Sequence, residues 1–224
     1  MQLVLICGGR GTRLPGRAAG LPKSMVALAG RPLLAHLLER LLPLHGSAAA
    51  PVVVAAADDP QVPAFIAEAL PAARIVRQPA PDGVASALLL TLPLLAGPVL
   101  VALGDLVLLG SLDAPPPAPA LVVWPEAPPA AISANFGVRD DGALLEKPAD
   151  PRGLLCGLGL YLLTPAVIAG FATAPRNPRT GELEITAALE HVRPTTQFAR
   201  WPFHGRYINV NDAADLAAAE AALT

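Results

Sequence analysis

The chain has 224 residues, 53% of them hydrophobic and 15% charged, with a formal net charge of -2. That length buries a sizeable core and suits a single domain spanning 1–224, while the near-neutral balance excludes a nucleic-acid groove and a polybasic membrane anchor. The two cysteines, Cys7 and Cys156, stand at no metal-ligand spacing. They exclude a disulfide framework and a zinc site, and read as buried free thiols of a cytoplasmic protein.

Segment 3–6 is a short apolar run that stops at glycines, which predicts a buried parallel strand. Segment 32–42 places six leucines on a helical face and has Pro32 in its first turn. A second strand is predicted at 52–56. A helix follows at 63–70, with Asp58 or Asp59 available to cap it. A third strand at 74–77, a helix at 84–95 and a fourth strand at 99–103 complete the alternating part. Strand–helix alternation with short connections predicts an α/β fold. Its central sheet is Rossmann-like and mostly parallel, with helices on both faces. The later half is less regular. It opens on a Pro-rich loop at 113–119. Strands follow at 121–124, 132–138 and 154–163, helices at 165–174 and 182–192, and an Ala-rich closing helix at 213–222. These later strands are expected to build a small lobe. No apolar stretch is long and uninterrupted enough for a membrane span.

The chemistry-bearing residues fall at the carboxyl ends of the strands, where open α/β sheets bind ligands. The first loop reads Gly8-Gly9-Arg10-Gly11-Thr12-Arg13. Glycines there let backbone N–H groups approach phosphate oxygens, and Thr12 and Arg13 add a hydroxyl and a charge. It is not a Walker A loop, since no Gly-Lys-Ser/Thr follows. Nor is it a dinucleotide fingerprint, since Leu14 stands where the third glycine belongs. Lys23 follows Pro22. Asp105 ends the fourth strand, where an acid is costly unless paired or metal-bound. Gln78 offers an amide donor and acceptor.

The stretch GGRGTRL followed by LPKSMVALAGRPLL resembles the signature of the sugar nucleotidyltransferase family. The resemblance continues through Gln78-Pro79-Ala80-Pro81-Asp82-Gly83, Gly104-Asp105, Phe136-Gly137-Val138, Glu146-Lys147-Pro148 and the Gly157-to-Tyr161 strand. It ends with Gly181-Glu182-Leu183-Glu184-Ile185-Thr186 and the segment around Asn209 and Asn211. It departs from the family at Ala187, where Asp is usual, and after Leu14.

The resemblance implies an EC 2.7.7-type reaction. A nucleoside triphosphate, dTTP or UTP, would condense with a sugar 1-phosphate and release pyrophosphate. It implies that Gly8, Gly9, Gly11, Thr12 and Arg13 bind the nucleotide, with Gln78 and Gly83 reading the base. It assigns catalysis to Arg13, Lys23 and Asp105, and the sugar to Gly137, Glu146 and Lys147. Mg²⁺ would sit on Asp105 with Asn209 or Asn211, depending on the register chosen. The partners implied are small molecules, with neither nucleic acid nor membrane. Two other readings stay open: the same reaction with CTP or GTP, and a non-catalytic nucleotide or sugar-phosphate sensor.

Overall fold

The computed structural model describes residues 1–9, 21–46 and 48–223. The chain divides into two compact units. One comprises Met1–Pro81, Leu100–Leu109 and Arg206–Thr224; the other comprises Asp82–Val99 and Gly110–Gly205.

The first unit is built on parallel strands. β1 (Gln2–Ile6) pairs with β4 (Val52–Ala56), Val4 opposite Val52, and β4 pairs in turn with β5 (Arg74–Gln78). With β6 (Val99–Leu103) the order is β5-β4-β1-β6. Val52, Val53 and Val54 are wholly buried, as a run covered on both faces requires. Helix α1 (Leu33–Leu41) buries Leu33, Leu34, Leu37, Leu38 and Leu41, a stripe at 3.6-residue period. Helix α2 (Gln61–Ala69) starts where Asp59 Oδ1 accepts from the N–H groups of Gln61 and Val62, so Asp59 is the capping acid. Between the first loop and α1 lies a hairpin, β2 (Ala27–Leu28) with β3 (Arg31–Pro32). Ala29 and Gly30 turn it at positive φ, the geometry of a tight hairpin turn.

Val26, Leu28, Leu33, Val107, Val210 and Ala219 form one buried cluster. It fastens the start of strand β7 (Leu106–Leu112), the segment before α7 (Ala213–Leu223) and the β2–β3 hairpin together. Lys23, Asp105 and Asn211 all lie within three residues of this cluster's members.

In the second unit, β8 (Ala120–Trp124) runs antiparallel to β11 (Leu155–Leu163) and parallel to β12 (Ala199–Asn209). β9 (Phe136–Val138) pairs with β11 and with β10 (Leu144–Glu146), both antiparallel. Helices α3 (Val84–Leu89), α5 (Pro165–Gly170) and α6 (Ile185–Val192) pack on one another. The class is therefore α/β, with mixed but mostly parallel strands and accompanying helices, as the alternation predicts.

Several segments differ from the sequence reading. The strand expected at 132–138 begins instead as helix α4 (Pro129–Ala134), and only Phe136–Val138 is extended. Pro129 pre-sets the first helical turn, and Ala130 and Ala131 continue it. The helix expected at 84–95 ends at Leu89, because Pro93 forces a separate 3-10 turn at Leu92–Leu94. The helix expected at 182–192 starts only at Ile185, since Leu183 spends its N–H and C=O on Asp82 and Ala85. Strands β7 and β10 lie where none is expected.

Candidate nucleotide and sugar-phosphate sites

In the first unit, β1 delivers Gly8 and Gly9. A Cβ on Gly8 would stand 2.9 Å from Gln78 Oε1, so glycine here is what lets the buried Gln78 carboxamide lie against the loop. Lys23 donates its backbone N–H to Gly9 O at 3.0 Å and opens a 3-10 turn, Lys23–Met25. The backbone thus ties Lys23 to the glycine loop. Gly11, Thr12 and Arg13 lie outside the described residues.

The Lys23 ammonium donates to Asn211 Oδ1 at 2.7 Å and to Asp105 Oδ2 at 3.1 Å. Its partners are set by the backbone. Val210 N–H donates to Asp105 O at 2.9 Å, which joins the two segments. Asn211 N–H donates to Asp215 Oδ2, and Asn211 Nδ2 donates to Asn209 O at 3.1 Å, which turns Oδ1 toward the lysine. Gly104 is needed for this crossing: a Cβ would lie 2.8 Å from Cys7 Sγ and 3.0 Å from Ser24 Cβ. Burial pushes the Cys7 thiol up to about 12. The charges of Asp105 and Asp59 add to that shift.

Side-chain exposures of 12% for Lys23 and 17% for Asp105 make this a nearly buried ion pair. Such a pair persists only when further hydrogen bonds complete it, and Asn211 supplies one. Two hard oxygen donors, one charged and one neutral, therefore converge on a single cation. That is a partial ligand set of the kind Mg²⁺ takes, with phosphate oxygens and water as the remainder. Among the described residues no group of three or more His, Cys, Asp or Glu could hold a metal alone. The Oδ1 of Asn209 is buried with no hydrogen-bond partner among the described residues, and it is the main-chain carbonyl of Asn209 that meets Asn211.

In the second unit, Gly83 adopts φ 91° just before α3. A Cβ there would sit 2.3 Å from Leu183 O, so both the dihedral and the packing demand glycine. Leu183 N–H donates to Asp82 O at 2.9 Å, and Ala85 N–H donates to Leu183 O at 3.1 Å. The Asp82 carboxylate accepts from the Arg176 guanidinium and from Ser86 Oγ, which together hold it below the usual carboxylate range. The turn that carries Gly83 is thus built on the segment that ends in Thr186.

Glu146 closes β10, and its Oε2 accepts from Thr186 Oγ1 at 2.7 Å. Lys147 holds a left-handed φ of 41°, and its N–H donates to Asn135 O at 2.8 Å. A non-glycine residue held there is a strained position of the kind that clusters at binding sites. Its ammonium is 3.9 Å from Glu146 Oε1, with both side chains about half exposed or more. Gly137 packs beneath Leu154, whose Cδ1 would be 2.6 Å from any Cβ. The Phe136 ring covers Gly157 and stacks on Tyr161 at 6.2 Å. Sequence reasoning missed Thr186, Asn135 and Arg176 as supports for these residues. Thr186 alone had a signal, as the last residue of the GELEIT segment.

A glycine loop after the first of several parallel strands, with Lys, Asp and Asn meeting beside it, is the arrangement of a nucleotidyltransferase-type α/β fold. Residues 3–114, half of the chain, match the model of the MobA-like NTP transferase domain, and the chain belongs to that family. It is 29% identical over 215 residues to a glucose-1-phosphate thymidylyltransferase of Streptomyces antibioticus, covering 86% of this chain and 57% of that protein. The chain spans about half the length of the curated relatives it matches. Two solved structures share its fold. One, assigned as a glucose-1-phosphate thymidylyltransferase from Bacillus anthracis and crystallised with sucrose, gives a TM-score of 0.79 at 18% identity. It covers 99% of this chain and 94% of that one. The other, a UDP-glucose pyrophosphorylase complexed with UDP-glucose, gives 0.77 at 19% identity, covering 99% and 97%. No helix among the described residues is long and apolar enough to cross a membrane.

Proposed function

We propose that the chain, acting over 1–224 as one nucleotidyltransferase domain, joins a sugar 1-phosphate to dTTP or UTP. A phosphate oxygen of the sugar ester attacks the α-phosphorus, and the bond from that phosphorus to the bridging oxygen breaks. Pyrophosphate departs with the electron pair, and a nucleotide sugar forms. No protein nucleophile is required, so catalysis is positioning and charge neutralisation.

The observation that carries this reading is the meeting of Lys23, Asp105 and Asn211 beside the glycine loop. Asp105 and Asn211 would hold Mg²⁺, which supplies charge neutralisation to the phosphates when bound. Asn211 is preferred to Asn209 because its side-chain oxygen is the one that joins Asp105 on a cation. Lys23 and Arg13 would steady the pyrophosphate, and Gly8, Gly9, Gly11 and Thr12 would donate to phosphate oxygens. Gln78, lying on Gly8, would read the pyrimidine edge, and Gly83 would let the base lie against the backbone. Glu146 and Lys147 would bind the sugar and its phosphate. Gly137 would keep the adjoining strand close.

The test is pyrophosphate release with Mg²⁺, crossing the common NTPs and dNTPs against a panel of sugar 1-phosphates. Release that needs both substrates and favours dTTP or UTP is expected. Release confined to CTP or GTP would keep the reaction and discard the Gln78 assignment. Nucleotide binding without release from any pair would replace catalysis by a sensing role.

A further inference from the structure

Glu146 is a surface glutamate with a fixed carboxylate. Its side chain is 49% exposed, and a free glutamate at such exposure would sample several rotamers. Thr186 prevents this. Its hydroxyl is buried in the first turn of α6 and donates to Glu146 Oε2 at 2.7 Å. That hydroxyl is spent on a side chain 40 residues away.

The platform under Thr186 is itself pinned. Leu183 is bonded at both N–H and C=O to the Asp82–Ala85 turn, and Asn177 Nδ2 donates to Glu184 Oε1 at 2.7 Å. On the other side, the left-handed Lys147 fixes where β10 ends. One Glu146 oxygen is therefore committed to Thr186, while Oε1, with the half-exposed Lys147 ammonium 3.9 Å away, can accept from a ligand.

We infer that Thr186 is a positioning residue for the sugar phosphate. It holds Glu146 so that one carboxylate oxygen meets the hydroxyls of a polyhydroxylated phosphate ester. This rests on the function proposed above. It needs no direct contact between Thr186 and the ligand.

The experiment uses the full chain with glucose 1-phosphate as probe and dTTP as co-substrate. Initial-rate pyrophosphate release and calorimetric binding of glucose 1-phosphate are measured for Thr186→Val, Thr186→Ser, Glu146→Gln and the Val/Gln double variant. Thr186→Val is expected to raise the KM and Kd for the sugar phosphate about tenfold, the scale of one lost charged hydrogen bond. Changes in kcat and in the KM for dTTP should stay within about twofold, and Thr186→Ser should restore the native values. In the double variant Val should add nothing to Gln, because its effect passes through Glu146. If Thr186→Val does not fold, Thr186→Ala takes its place. A raised KM in Glu146→Gln with none in Thr186→Val, or effects of the two that add, would overturn the inference and leave the proposed function standing. An unchanged KM and Kd in Glu146→Gln would overturn the sugar-site reading and this inference with it.

Discussion

Lys23 and Asp105, 82 residues apart in the chain, meet as a nearly buried ion pair 3.1 Å long. In the proposed reaction Mg²⁺ would compete with the Lys23 ammonium for the oxygens of Asp105 and Asn211, and the phosphates of the nucleotide would be the anions to which the lysine turns.

Replacing Lys23 by Met tests this directly. Asp105 then loses its only charged partner among the described residues while keeping most of its burial. Stability should fall by about 1–3 kcal/mol, below the full cost of breaking a deeply buried pair, as read by urea denaturation. In the same variant, Mn²⁺ binding to nucleotide-free protein should tighten about tenfold, because a unit charge some 3 Å from the ligands has gone. Turnover should drop by orders of magnitude. Unchanged Mn²⁺ affinity, followed by paramagnetic resonance, would show that Lys23 does not compete for that position.

The two asparagines should separate cleanly. Asn211→Asp adds a second carboxylate where two oxygens already converge, so the Mg²⁺ concentration for half-maximal pyrophosphate release should fall several-fold. Asn209→Asp places a charge where the side-chain oxygen is buried without a hydrogen-bond partner among the described residues. It should lower the melting temperature by several degrees and leave the Mg²⁺ requirement alone. The reverse pattern would make Asn209 the ligand.

The alternating half of the fold was legible because each buried strand is an uninterrupted apolar run ended by glycine or a polar residue. Val52–Ala56 and Val99–Leu103 fall where the pattern puts them. The later strands were not. Leu144–Glu146 is too short for a period, and Ala199–Asn209 mixes Arg, Pro, His and Gly with apolar residues, because both its neighbours and its exposure change along its length. Of the candidate site, Lys23 and Asp105 were singled out by their motifs, and the structure brings them together. That the side chain of Asn211 and not that of Asn209 joins them was not legible, since two residues in one segment differ only by which way the side chain turns. What turns it is the Asn211 Nδ2 bond to Asn209 O, a local backbone fact without a sequence mark.

Two glycines should fail in different ways. Gly83→Ala puts a methyl group 2.3 Å from Leu183 O at a φ of 91°, so backbone must move. A loss of about 2–4 kcal/mol is expected, with nucleotide and sugar-phosphate binding both weakened. Among the described residues, Gly8→Ala meets the end of the Gln78 side chain at 2.9 Å, with Ala56 N at an ordinary 3.9 Å. The amide can yield, so stability should change by less than about 1 kcal/mol while the KM for nucleotide rises. Equal destabilisation by the two would contradict the distinction between backbone and side-chain obstruction.

The thiols should respond to alkali and not to reagents. Cys7 and Cys156 are raised from an ordinary 9.0 to about 12, each chiefly by burial. A thiol whose folded value lies above its unfolded one keeps its proton longer in the folded state. Its contribution is fully present below pH 9 and is lost as pH rises toward 12. Stability should therefore decline between those limits by about 1 kcal/mol per pH unit for each thiol, and Cys7→Ala should show a shallower slope than the native chain. At pH 8 Ellman's reagent should find no reactive thiol in the folded protein and two after denaturation, because the thiolate is the nucleophile. Rapid labelling of Cys7 in the folded chain would mean that the crossing of β1, Gly104 and Ser24 opens far more readily than its packing implies.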